Sequence, residues 1–341
     1  MPILSLPYGD AEQRLRSNRE HGRWWFAENL PVETRALGAS ERLKKPALEL
    51  LIRPNFRMGR TSNIFTIGSC FAREIEEAML QDGMNVVSNP AVFTQWEPRA
   101  PAGLSDTEDH IFRMGYINKY TIGTMVDELR WAAEAVPTGQ HPAVQEVSKG
   151  RFADLAAHNI LAGDDEAAVR ARRDAMSQLM RCAFQADVIV LTLGLAEGWR
   201  DQVTGTWLVD SPLTLKPEQP ERYTLEVLSF ADQMAGLREI AALLDRYGRP
   251  NWRMVLTVSP VPFLATFTGD DVVVANSYSK SVLRAAAEEF TRENNRADYF
   301  PSFEMANYSD AASVWKSDRR HIQKEFVQKI VHTFRGSYLQ D

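Results

Sequence analysis

The chain has 341 residues, 25% of them charged and 44% hydrophobic, with a formal net charge of −6. That length suffices for one large domain or two small ones with a substantial core. The acidic balance offers no basic patch for a nucleic-acid backbone, and no apolar run approaches the roughly 20 residues that span a bilayer. The first residues, Met1-Pro2-Ile3-Leu4, lack a basic stretch followed by an apolar one, so no secretory signal is expected. Cys70 and Cys182 are too few for a disulfide framework, and a cytoplasmic setting is expected.

Residues 1–60 read as an extension packed on the core, because Trp24-Trp25-Phe26 is too aromatic for a solvated tail. Leu48 to Ile52 suits a short helix or strand. The main α/β domain is expected over residues 61–335, with a tail over 336–341. Asn63-Ile64-Phe65 opens it as a strand. Phe71, Ala72, Ile75, Ala78 and Met79 then recur at helical spacing, which predicts a tight turn at Gly68 and Ser69 and a helix to about residue 81. Asn85-Val86-Val87-Ser88 reads as a second strand. The resulting β-α-β unit calls for a parallel sheet, and Asn89-Pro90 turns the chain away.

From about 91 to 165 the pattern is a loop-rich insertion with one clear helix, Ile122 to Ala135. Loops of this kind sit beside strand ends and carry substrates. Leu104 to His110 gathers Asp106, Glu108, Asp109 and His110, but the spacing fits no defined metal site and reads as a solvated loop. A helix over 165–184 precedes Asp187 to Gly194, the clearest buried strand. A long loop with Pro212, Pro217 and Pro220 leads to a helix over 226–246. Met254 to Val258 is a strand stopped by Ser259-Pro260-Val261-Pro262. A helix over 278–293, a short strand Asp298-Tyr299-Phe300 and a helix over 322–335 complete the chain. Five strands alternating with helices predict a doubly wound, three-layer α/β/α sandwich around a mainly parallel five-stranded sheet. Its site belongs at the carboxyl ends of the strands.

Those ends collect Ser69, Gly194 to Glu197, and Ser259. The Ser69 hydroxyl falls at a helix N-terminus, where free N–H groups stabilise an anion. It reads either as a nucleophile or as a simple N-cap. Cys70 is a rival nucleophile, expected to face the core. Of the six histidines, His321 alone has a carboxylate three residues earlier, in Asp318-Arg319-Arg320-His321. His321 would take the Ser69 proton, and Asp318 would orient the imidazole. The amides of Ser69 and Gly194, with the side chain of Asn118 or Asn89, are candidate oxyanion donors. Gly68, Cys70, Glu197 and Ser259 complete the candidate substrate-binding set. No Gly-x-Gly-x-x-Gly, Walker-type loop, His-Glu-x-x-His or paired Cys-x-x-Cys is present, so no cofactor and no metal is expected.

Assembled, these motifs resemble the GSCFA-domain family of the SGNH hydrolase-like superfamily, whose name is spelled by Gly68-Ser69-Cys70-Phe71-Ala72. The resemblance continues through Asn118-Lys119-Tyr120-Thr121, Gly150-Arg151-Phe152-Ala153-Asp154 and the run from Leu191 to Trp199. It extends through Leu256 to Pro262, Tyr278 to Arg284 and Tyr299 to Glu304, and so covers about residues 60 to 335. It implies an SGNH, flavodoxin-like fold and acyl-ester chemistry, with Ser69 as nucleophile and Asp318 and His321 as its partners. The implied enzyme is an esterase, deacetylase or O-acyltransferase on a carbohydrate or polysaccharide-related ester, with an acyl-serine intermediate. Two departures stand out. The superfamily's Gly-x-Asn block reads Gly194-Leu195-Ala196 here, which leaves Asn118 as the replacement donor. His321 is followed by Ile322-Gln323 rather than Pro-Ser. A non-catalytic glycan- or partner-binding module with Trp96, Trp131 and Trp199 is the alternative, and a cradle for phosphate or sulfate at the turn is a third reading. The sequence is also compatible with a homo-oligomer.

Overall fold

The computed structural model describes residues 2–88, 117–163 and 165–340. The Asn89-Pro90 turn, Trp96 and the acidic segment Leu104 to His110 lie outside them. In chain order the strands are β1 (Ile64–Gly68), β2 (Val144–Ser148), β3 (Arg151–Asp154), β4 (Val188–Leu193), β5 (Glu197–Asp201), β6 (Trp207–Leu208), β7 (Tyr223–Val227), β8 (Arg253–Val258) and β9 (Ala297–Tyr299). The longer helices are α1 (Tyr8–Glu20), α2 (Cys70–Gln81), α3 (Ile122–Glu134), α4 (Glu166–Arg181), α5 (Phe230–Tyr247), α6 (Val272–Glu293) and α7 (Lys324–Tyr338).

Side-chain alternation along the strands organises the core. The central sheet has the order β1-β4-β8-β9, and every pairing is parallel. Phe65, Ile67, Ile189, Leu191, Met254 and Leu256 join one apolar cluster with Met125, Leu129, Met176, Leu237, Ile240 and Leu283 from α3 to α6. Ile64, Val188, Val190 and Val255 join a second with Phe71, Ile75 and Met79 of α2 and Phe326, Ile330 and Phe334 of α7. The sheet is thus flanked by helices.

Among the described residues the sheet has four strands rather than the five expected. Asn85 to Ser88 makes only a single parallel bridge, Ile64 to Val86, beside β1. Side chains end the pairing there. The Thr66 N–H donates to the Ser88 hydroxyl at 3.1 Å instead of to a backbone carbonyl. Ser88 in turn donates to Glu76 at 2.9 Å, and Arg73 meets the same carboxylate at 2.6 Å. This buried polar knot fastens β1 to α2 and leaves no ladder for a neighbour.

Two small antiparallel sheets were hidden in the segments read as loops. Strands β2 and β3 pair around Gly150, at φ +72°, and β5 pairs with both β6 and β7. The extension is fastened to β9 and α7. Its Asn55 N–H donates to Asp298 at 2.9 Å, and the Met58 N–H donates to the Tyr338 carbonyl at 2.8 Å. The aromatic triplet is less covered than expected: Trp25 is 60% exposed and Phe26 53%.

A second knot of charge is fully buried. The Glu128 carboxylate of α3 sits 2.8 Å from Lys119 and 2.6 Å from Arg173 of α4, and Arg173 reaches Asp154 of β3 at 3.4 Å. Burial alone would push the Glu128 carboxyl up, but Arg173 and Lys119 outweigh it and hold it down at about 2. The cluster joins the segment before α3 to the hairpin β2–β3 and to α4. Glu128→Gln would leave the buried Lys119 ammonium without its carboxylate and Arg173 with only the longer contact to Asp154. It is expected to cost about 3–5 kcal/mol in denaturant unfolding at unchanged slope. A cost under about 1 kcal/mol, typical of exposed pairs, would contradict the dry cluster seen here.

Candidate active site

Strands β1, β4 and β8 end side by side, and the residues that follow them, Ser69, Gly194 and Ser259, border one cavity of about 410 Å³. From β1 the chain goes first to the Val86 bridge on one side and later to β4 on the other. The crevice at the ends of β1 and β4 is therefore the topological switch point, where open parallel sheets bind ligands.

Close backbone approach builds the floor. Gly68 has φ +157°, and a Cβ there would lie 2.5 Å from the Thr192 carbonyl oxygen. A Cβ on Gly194 would lie 2.7 Å from the Tyr120 carbonyl oxygen and 3.4 Å from Cβ of Ser69. Residues 118–121 cross this floor. The Lys119 N–H donates to the Gly68 carbonyl and the Leu195 N–H to the Tyr120 carbonyl, both at 2.8 Å.

Ser69 occupies the N-cap position of α2 with an extended backbone, yet its side chain makes no capping hydrogen bond. The residue is 4% exposed, and its Oγ has no hydrogen-bond partner among the described residues. The hydroxyl is thus free of the task that a capping serine performs. Cys70 borders the same cavity rather than facing the core, and burial pushes its thiol up, so it stays protonated.

The other candidates hold distinct places. Asn118 donates from Nδ2 to the Tyr120 hydroxyl at 3.3 Å, while its Oδ1 is buried without a partner among the described residues. Burial raises the Tyr120 phenol, which borders the cavity as a neutral group. Glu197 spends both oxygens on the loop after β8, accepting from the Thr266 hydroxyl at 2.6 Å and the Phe267 N–H at 3.0 Å. It thereby holds Phe267 against Trp199, with ring centroids 5.3 Å apart. The Ser259 Oγ is buried and has no partner among the described residues. Trp199 borders the cavity, whereas Trp131 is buried in the core beside His141.

Asp318 and His321 form their pair, with Oδ2 and Nδ1 2.6 Å apart, but neither borders the cavity. The other ring nitrogen, Nε2, accepts from Arg320 at 3.1 Å. Arg320 does border the cavity. The structure therefore brings Ser69, Cys70, Gly194, Glu197 and Ser259 together and, among the described residues, joins no imidazole to the Ser69 hydroxyl.

Three participants escape a reading of motifs. Arg320 lies between the two residues that drew attention. Lys280 of α6 is 2% exposed and donates from Nζ to the Gly194 carbonyl at 2.8 Å. Burial pulls its ammonium down to about 7. Its signal was present: residues 280, 283, 287 and 290 repeat at helical core spacing, so a lysine stood where an apolar residue belongs. His158 and Asp210, 3.3 Å apart, border the cavity from the insertion and the loop after β6.

The walls opposite these groups are apolar, from Leu208, Leu225, Val261, Phe263, Leu264 and Phe267. Among the described residues no group of three His, Cys, Asp or Glu suits a metal, and no helix is long and apolar enough to cross a membrane. The model of the GSCFA family matches residues 63–334. No curated protein matches the chain.

The tight floor makes a sharp prediction. Gly194→Ala forces a methyl group into contact with the Tyr120 carbonyl and is expected to destabilise by about 1–3 kcal/mol. Thermal unfolding of the variant reads this directly, and an unchanged midpoint would refute the close approach.

Proposed function

The chain belongs to the GSCFA family, and on that premise we propose that it performs serine-dependent acyl-ester chemistry at Ser69. The observation that carries this reading is the Ser69 hydroxyl itself. It is buried at a helix N-terminus on the switch point, borders a ligand-sized cavity, and is not used as a cap. In this reading the fold is an SGNH-type three-layer sandwich whose fifth strand is reduced to the Val86 bridge. The substrate is a carbohydrate ester handled in the cytoplasm. Its acyl part lies on the apolar wall, and its sugar lies on the partly exposed side with His158, Asp210 and Trp199.

The steps follow ordinary acyl transfer. Ser69 Oγ bonds to the acyl carbon as its proton leaves for a base. The N-terminus of α2 stabilises the oxyanion. Collapse breaks the bond to the sugar oxygen, which takes the proton back. Water or a second sugar hydroxyl then repeats the sequence and frees Ser69. We assign the base to Lys280, because it binds the carbonyl of Gly194, the residue packed against Ser69. A base must start neutral, and burial brings this amine to about 7. Below that pH the amine holds a proton and cannot accept another, so the rate is expected to rise with pH and level off above about 7.

A second reading has its own support. No base is hydrogen-bonded to Ser69 among the described residues, as suits a glycan- or partner-binding module without turnover. A fluorophosphonate probe separates the two. Labelling is expected at Ser69, absent from Ser69→Ala, and slowed roughly a hundredfold or more in Lys280→Met, in line with loss of a general base. His321→Asn is expected to slow it far less. Failure to label the intact protein, under conditions that label a standard esterase, rejects the enzyme. Calorimetric glycan binding that survives Ser69→Ala would then favour the module.

A further inference from the structure

Arg320 is held in an unusual way. Arg319 adopts a left-handed backbone with φ +57°, a conformation that is unfavourable for a non-glycine residue. Asp318 closes this turn, its Oδ1 accepting the N–H groups of Arg320 and His321, both at 2.9 Å. Its Oδ2 accepts from His321 Nδ1, which leaves Nε2 as an acceptor for the Arg320 NH1 group. The chain from Asp318 through His321 to Arg320 fixes one side of the guanidinium. The other edge carries Nε, which is buried and has no hydrogen-bond partner among the described residues. That edge is the fork a carboxylate fills with two parallel hydrogen bonds.

The surroundings suit a negative head with an apolar body. The Ser69 and Ser259 hydroxyls border the same cavity, are 4% and 1% exposed, and lack partners among the described residues. The carboxylates that border it are otherwise committed. Glu197 is bound to Thr266 and Phe267, and Asp210 to His158 and the Asn159 N–H. The same cavity is also lined by hydrocarbon, including Val261, Phe263 and Leu264. We propose that the cavity binds an amphiphilic carboxylate, its head on the Nε edge of Arg320 and its tail on the apolar wall, with Asp318 and His321 as positioning residues for Arg320. The proposal rests on the Ser69 cavity as the functional site but not on turnover there.

Calorimetry of the full chain tests it with octanoate, octanol and acetate as probes. Octanoate is expected to bind, with octanol and acetate each about tenfold weaker or more, the scale of one charge-assisted hydrogen bond or one buried tail. Arg320→Gln is expected to remove that advantage of octanoate over octanol. Arg320→Lys, which keeps the charge without the fork, is expected to restore only part of it. His321→Phe is expected to weaken octanoate several-fold with octanol affinity and thermal midpoint unchanged, and His321→Gln to recover it. Equal octanoate affinity in wild type and Arg320→Gln overturns the proposal, as does acetate binding as tightly as octanoate. Fluorophosphonate labelling of the same proteins reports on Ser69 separately. Labelling with no octanoate binding sinks this inference alone, and octanoate binding without labelling sinks only the acyl-serine reading.

Discussion

No side-chain atom fits between the carboxyl ends of β1 and β4. A Cβ on Gly68 would meet the Thr192 carbonyl, and one on Gly194 would meet the Tyr120 carbonyl. Two glycines let three stretches of backbone lie against one another, and two hydrogen bonds of 2.8 Å lock the crossing strand of chain at Lys119 and Tyr120. The cavity depends on this contact. It sets Ser69 at the floor, carries Tyr120 to the wall, and directs the Lys119 side chain inward to Glu128.

Buried charge then fixes what the hydrophobic clusters leave loose. Apolar burial supplies the driving force for the sheet and its helices but has no direction. The Arg73–Glu76 and Lys119–Glu128–Arg173 groups do have direction, since removing one member strands another in a dry interior. The first knot ties the helix after Ser69 to β1, and the second ties the insertion to the helices on the main sheet. Lys280 and Arg320 follow the same physics, Arg320 at the cavity and Lys280 on the carbonyl of Gly194, which borders it. One is a buried amine on a backbone carbonyl, and the other is a guanidinium braced by an imidazole. Each is a costly placement for a charge, which marks the cavity more clearly than its shape does.

Local patterns carried much of the fold and part of the site. The runs Ile64 to Gly68, Val188 to Leu193 and Arg253 to Val258 are strands because β-branched and other apolar residues dominate them. The position of Ser69 at a strand end was legible from the change of period across Gly68. Residues 85–88 misled because their β-branched valines suit a strand, while Ser88 turns its hydroxyl to Thr66 and ends the ladder. The strands β5 and β7 stayed hidden because charged residues interrupt their alternation, as Arg200 and Glu226 do.

By itself the sequence determined the alternation of strand and helix, the glycine turn, the family motifs and the pairing of Asp318 with His321, which sit three residues apart. These are short-range relations, written in side-chain chemistry and spacing. The tertiary structure alone decided which way the pair faces, that Arg320 rather than His321 borders the cavity, that Lys280 binds the carbonyl of Gly194, the residue packed against Ser69, and that Trp199 borders the site while Trp131 fills the core. Those outcomes depend on one left-handed residue, Arg319, and on contacts between segments far apart in sequence. No local propensity encodes them, because the energy that selects them exists only once the chain has closed around the strand ends.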